Sequence, residues 1–237
     1  MNKTVDLFAI QQKLYESLKP SGWASVLKSF LLGTEFTTIL EQLYNLSTEG
    51  KKFTPALKDI FKAFEYCPFN DLHTVFITKE PFYKINVANG LAFDSSKAPN
   101  EHIYSTFVLD AVERTVYPYK TCKRDPDLSR WAKQGILLFN SNLTVQIDKA
   151  NTHTMIWKPF TSFLLDTLST LNAGLVFVFV GDDVIHLGKL VNSVTHYKYA
   201  IPHPSTGVDN KGLWDSQNIF PVISNIIHKN IKRTIVW

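Results

Sequence analysis

Cysteine is scarce in this 237-residue chain: Cys67 and Cys122 stand far apart and outside any CxxC pair. Such a pair supports neither a disulfide framework nor a zinc site, and it fits a reducing, intracellular compartment. Long apolar runs are also missing. No segment approaches the roughly 18 residues of a membrane span, so no membrane partner is expected. The N-terminal stretch Met1–Phe8 carries Asp6 and lacks an apolar run of signal-peptide length, which argues against secretion. No two histidines fall at helical metal-ligand spacing, and there is no glycine-rich phosphate loop and no GxSxG elbow. Metal-centred, phosphate-loop and serine-hydrolase chemistries therefore have no support. Neither a repeat nor a low-complexity linker divides the chain, so residues 1–237 are expected to form one domain.

What is present is apolar and aromatic: 45% and 13% of the residues, enough for a sizeable core. The net charge of +4 is a mild excess, compatible with a polyanionic partner but common in proteins without one. Four short apolar runs stand out, Leu72–Thr78, Ile136–Phe139, Leu175–Val180 and His196–Ile201. The first three are nearly continuous in hydrophobicity, as strands buried on both faces of a parallel sheet are; the fourth alternates, as a half-covered edge strand does. Helical spacing marks Pro55–Phe64, Phe160–Leu171 with Pro159 suited to its first turn, Asp182–Val191 and Ser216–His228. Strands alternating with helices predict an α/β fold with helices on both sides of a parallel sheet. Ligands then bind beyond the carboxyl ends of the strands.

The loops at those ends carry the candidates. Glu80 follows the first strand, with Pro81 stiffening the loop and Phe82 and Tyr83 able to line a pocket for a flat ligand. An isolated strand-end glutamate is more often simply solvated. Asn140 follows the second strand, and its amide can donate and accept in one plane, suiting the edge of a base. The commoner role for such an asparagine is a turn former. After the fourth strand, Pro202 and Pro204 bracket His203 and would fix an imidazole aimed at a developing oxyanion, although a loop histidine is often just surface. Asp182-Asp183 is adequately explained as a helix start.

In chain order, these loops resemble the uracil-DNA glycosylase family from about Pro20 to Trp237. The segment Arg130–Asn140 with Leu143-Thr144-Val145 resembles the family's run into its uracil-reading asparagine. Gly90-Leu91-Ala92-Phe93 is similar to the stretch ending in its base-stacking phenylalanine. Thr152-His153 through Trp157 resembles its Ser-His segment and the following tryptophan, and Pro202-His203-Pro204-Ser205 its leucine loop. The resemblance implies a three-layer α/β/α sandwich around a four-stranded parallel sheet. It implies a monomeric glycosylase, without metal or cofactor, that flips uracil from DNA and hydrolyses its N-glycosidic bond in base excision repair. Phe93 would stack on the base, Asn140 would read it, and His203 would hydrogen-bond its O2. Glu80 would replace the family's aspartate, and Ser105 and Ser205 would pinch the DNA backbone.

The chain also departs from the family. Where the water-activating loop reads Gly-Gln-Asp-Pro-Tyr-His, this sequence has Thr78-Lys79-Glu80-Pro81-Phe82-Tyr83. Glutamate keeps the charge but moves the carboxylate by about one methylene, and displacements on the order of 1 Å can cost about a hundredfold in rate. Lys79 should keep Glu80 ionised. Phe82 keeps the ring that crowds the base C5 position. The wedge leucine aligns with Gly207, leaving Val208 as a shorter substitute, so single-stranded DNA is the preferred substrate expected. The altered loop keeps a second reading open: a catalytically impaired DNA-binding module on the same fold, for example a replication accessory protein with a protein partner.

Overall fold

The computed structural model describes residues 6–98, 103–120, 124–171 and 173–237; Cys122 and Met1–Val5 lie outside them. Six strands are described: β1 Phe53–Thr54, β2 Thr74–Thr78, β3 Ile136–Asn140, β4 Val145–Gln146, β5 Val176–Val180 and β6 Tyr197–Ile201. Four of them form a parallel sheet in the order β3-β2-β5-β6, with Thr78 opposite Asn140 and Val180 opposite Ile201. Every residue of β2, β3 and β5 is buried, whereas β6 is exposed over much of its length. This matches the contrast between three continuous apolar runs and one alternating run. The antiparallel pair β1–β4 was too short to show in the hydrophobic pattern.

The helices among these residues are α1 Leu7–Ser17, α2 Trp23–Leu31, α3 Thr34–Thr48, α4 Lys62–Tyr66, α5 Ile103–Val116, α6 Ser129–Ala132, α7 Thr154–Leu171, α8 Asp182–Ile185, α9 Thr206–Asp209 and α10 Ile219–Ile231. On one face of the sheet, Phe160 of α7 lies 6.3 Å from Phe139 of β3 and 5.4 Å from Phe30 of α2. On the other, Phe220 of α10 lies 6.1 Å from Phe76 of β2. Aromatic rings thus bind both outer layers to the sheet, giving the α/β/α sandwich.

Local boundaries differ where a single periodicity was too simple. Pro55–Phe64 is not one helix but a 3-10 turn, Leu57–Asp59, followed by α4. Ile60, Phe61, Ala63 and Phe64 are all buried, more than the single face a surface helix can cover. Helix α7 starts earlier than expected, so Pro159 falls in its second turn. The carbonyl left without an intrahelical donor belongs to Met155, a residue that is 75% exposed. Asp182–Val191 splits into α8 and a 3-10 segment, His186–Leu190, where Lys198 Nζ of β6 donates to the Gly188 and Val191 carbonyls. Gln217 and Asn218 adopt left-handed backbone, which delays α10 to Ile219.

Candidate active site

A cavity of about 910 Å³ opens at the carboxyl ends of β2, β5 and β6, lined by Glu80, Phe82, Tyr104, Asp183, His203 and Ser205 among others. Four of the sequence candidates, Glu80, Phe82, His203 and Ser205, thus meet on one concave surface with an aromatic wall. Both carboxylate oxygens of Glu80 accept from the Asn151 backbone N–H, at 3.1 and 3.0 Å. Burial raises the Glu80 carboxyl above its ordinary range, with Asp183 adding to the rise; the Asn151 N–H, Lys79 and the Asn142 side-chain amide oppose it. Lys79 does not hold Glu80 as firmly ionised as expected. Its ammonium pairs with Asp183 Oδ1 at 2.8 Å, and desolvation outweighs what remains of its field.

His203 is fixed by its own loop. Nδ1 accepts from the Ser205 backbone N–H at 3.1 Å and lies 2.9 Å from Ser205 Oγ. A backbone N–H can only donate, so Nδ1 is unprotonated and the neutral ring carries its proton on Nε2. Burial lowers the imidazole's pKa, against a weaker upward pull from Asp183, which favours that neutral donor. Gly181 passes so close that a Cβ there would sit 3.1 Å from His203 Cβ, in a backbone with φ +91°. The Tyr104 ring packs edge-on, 5.6 Å away.

Asn140 ends β3 and is buried; its Oδ1 accepts from Thr78 Oγ1 at 2.5 Å. Neither Asn140 nor Phe93 lines the large cavity. Phe93 is buried with left-handed backbone, its ring 6.3 Å from and edge-on to Phe76. Two further candidates are held in packing contacts. Ser105 is buried inside α5 and donates to the Phe93 carbonyl at 2.5 Å, so its hydroxyl is engaged in the interior of this structure. Gly207 is also buried: a Cβ there would lie 2.9 Å from the Phe107 ring and 3.2 Å from the Trp214 backbone N. No wedge belongs at that position. Val208, 54% exposed, is the neighbour that points outward.

No protein-family profile matches the chain. Individual relatives do. The uracil-DNA glycosylase of Francisella tularensis subsp. tularensis strain WY96-3418 is 31% identical over 216 residues, covering 91% of this chain and 97% of the relative. That of Oceanobacillus iheyensis is 32% identical over 188 residues, covering 79% and 81%. The chain belongs to the uracil-DNA glycosylase family. The fold agrees: mimivirus uracil-DNA glycosylase superposes with a TM-score of 0.82 at 20% identity, over 94% of this chain and 88% of that one. A glycosylase from Nitratifractor salsuginis gives 0.59 at 17% identity, over 92% and 97%.

Within this uracil-DNA glycosylase scaffold, the sequence reading missed the residues that hold the others. Asn142 donates to Thr154 Oγ1 at 3.0 Å, and its amide also acts on Glu80, opposing the rise of that carboxyl's pKa. Its place two residues past a strand-end asparagine was the one available signal. Asn151 contributes only a backbone N–H, which no side-chain motif announces. The Ser-His-like segment proves structural. Trp157 Nε1 donates to Thr144 Oγ1 at 2.7 Å, and the Thr144 hydroxyl lies 2.8 Å from His153 Nδ1. Burial pushes His153 down to about 4, and it does not line the cavity.

Proposed function

We propose that this chain hydrolyses the N-glycosidic bond of uracil flipped out of DNA, with Glu80 and His203 as the catalytic pair. The supporting observation is one cavity that presents a carboxylate and a neutral imidazole donor together. As the bond between the sugar C1′ and the base N1 breaks, positive charge grows on the sugar and negative charge on the base O2. Ionised Glu80 stabilises the first, and the His203 Nε2–H hydrogen-bonds the second. Water then adds to C1′, and Glu80 takes its proton. Asn140 reads the base edge, Phe93 stacks on it, Phe82 crowds its C5 position and Ser205 meets the DNA backbone. This chemistry uses no metal or cofactor. Val208 offers a short wedge in place of leucine, so unstacking a duplex is poorly compensated and single-stranded DNA is the preferred form.

Incubation of the monomer with a labelled uracil-containing oligonucleotide, followed by alkali, tests the activity. Strand breaks at the uracil position are expected with wild type and at least tenfold fewer with Glu80→Gln. Binding without breaks would instead favour the DNA-binding module, working with a replication partner.

A further inference from the structure

We propose that Thr78 determines base specificity by setting which way round the Asn140 amide faces. The inference deepens the assignment of Asn140 as the base-reading residue and rests on it. The two residues stand directly opposite each other in the parallel register of β2 and β3, at the last pair of both strands. Both are buried, and the bond to Asn140 Oδ1 is the one the Thr78 hydroxyl makes among the described residues. The motif that this loop resembles has glycine at this position, so the hydroxyl is an addition relative to that motif.

The consequence follows from counting donors. With Oδ1 turned toward Thr78, Asn140 retains one Oδ1 lone pair and both Nδ2 hydrogens for a ligand. Nδ2 donates to no protein group among the described residues, and it is not among the fully buried unpartnered atoms, so solvent reaches it. A donor beside an acceptor complements uracil, whose O4 accepts and whose N3–H donates. Cytosine presents the reverse, an amino donor beside an acceptor nitrogen. A rotated amide would fit cytosine, but it would aim Nδ2 at the Thr78 oxygen and leave the buried hydroxyl hydrogen without an acceptor. Leaving a buried donor without an acceptor in that way is worth about tenfold or more in an equilibrium. Thr78 therefore acts on the base through Asn140, as a positioning residue.

Thr78→Val keeps the β-branched shape and removes the hydroxyl; Thr78→Ser restores it. The probe is a single-stranded oligonucleotide carrying one 2′-fluoro-2′-deoxyuridine or one 2′-fluoro-2′-deoxycytidine, both resistant to cleavage, with affinity read by fluorescence anisotropy. Wild type and Thr78→Ser should favour the uridine probe, and Thr78→Val should narrow that preference about tenfold. A Thr78→Val protein with native thermal stability and an undiminished preference overturns the proposal, as does a wild type with no preference. Failure of the catalytic reading looks different: no uracil release from ordinary substrate, with the binding preference intact. Should Thr78→Val not fold, Thr78→Ala read against Thr78→Ser carries the same comparison.

Discussion

The two halves of the site are held in different ways. Thr78 and Asn140 sit on paired strands, where register alone places them face to face in the core. Glu80 and His203 sit on loops, and each depends on a main-chain N–H, from Asn151 and Ser205 respectively. On the proposed assignment, recognition lies on buried, paired strands, and bond cleavage on groups that segments outside the sheet must hold in place. Substitutions on the strands should change which base is accepted, whereas substitutions on the loops should change how fast it leaves.

The largest effect should come from Asn140→Asp. A carboxylate cannot donate to the uracil O4, so uracil release should fall at least a hundredfold while the fold, read by circular dichroism, survives. Retained uracil release would remove Asn140 from the reading role. On the loop side, His203→Ala and Glu80→Gln should each slow single-turnover cleavage at least tenfold with oligonucleotide affinity nearly unchanged. A comparable loss of affinity would mean that the loops also recognise the base, and the division between the halves would fail.

The pH profile sharpens the contrast. The proposed mechanism needs Glu80 ionised and burial raises its pKa, so cleavage should be full above that raised value and lost as pH falls through it. This acid limb should lie at higher pH than a solvated glutamate would give. Asn142→Leu removes a donor to the carboxylate and should shift the limb further upward. Asn140→Asp should leave it in place. Smaller effects are expected at the edge of the DNA face. Gly207→Leu should lower thermal stability, by about 1–3 kcal/mol for overpacking against Phe107 and Trp214, without raising the duplex rate. Val208→Ala should reduce cleavage of duplex DNA about twofold and leave single strands unaffected; equal loss on both would show that Val208 is no wedge.

The sheet was legible because strands buried on both faces leave unbroken apolar runs, and β6 betrayed its edge position by alternating. Glu80, Phe82 and His203 were legible for a related reason, since strand ends are where a parallel sheet binds ligands, and all three line the cavity. The inward placement of Ser105 and Gly207 was not legible, because matching by chain order fixes a position in sequence but not the direction in which it faces. Helix α5 turns Ser105 inward, and α9 packs Gly207 on Phe107. The supports of the site could not be read at all. Asn151 lies 71 positions from Glu80, and its contribution is an amide that every residue except proline carries.

The contact between the Ser205 backbone N–H and His203 has a bearing on how this enzyme can vary. The proton on His203 Nε2 is assigned by the polypeptide itself, so Ser205 can become any residue with a main-chain N–H without disturbing the tautomer. Only proline would erase it. The serine hydroxyl is then free to change with the demands of the DNA backbone, and the electrophile beside it keeps its form through nearly every codon change at that position.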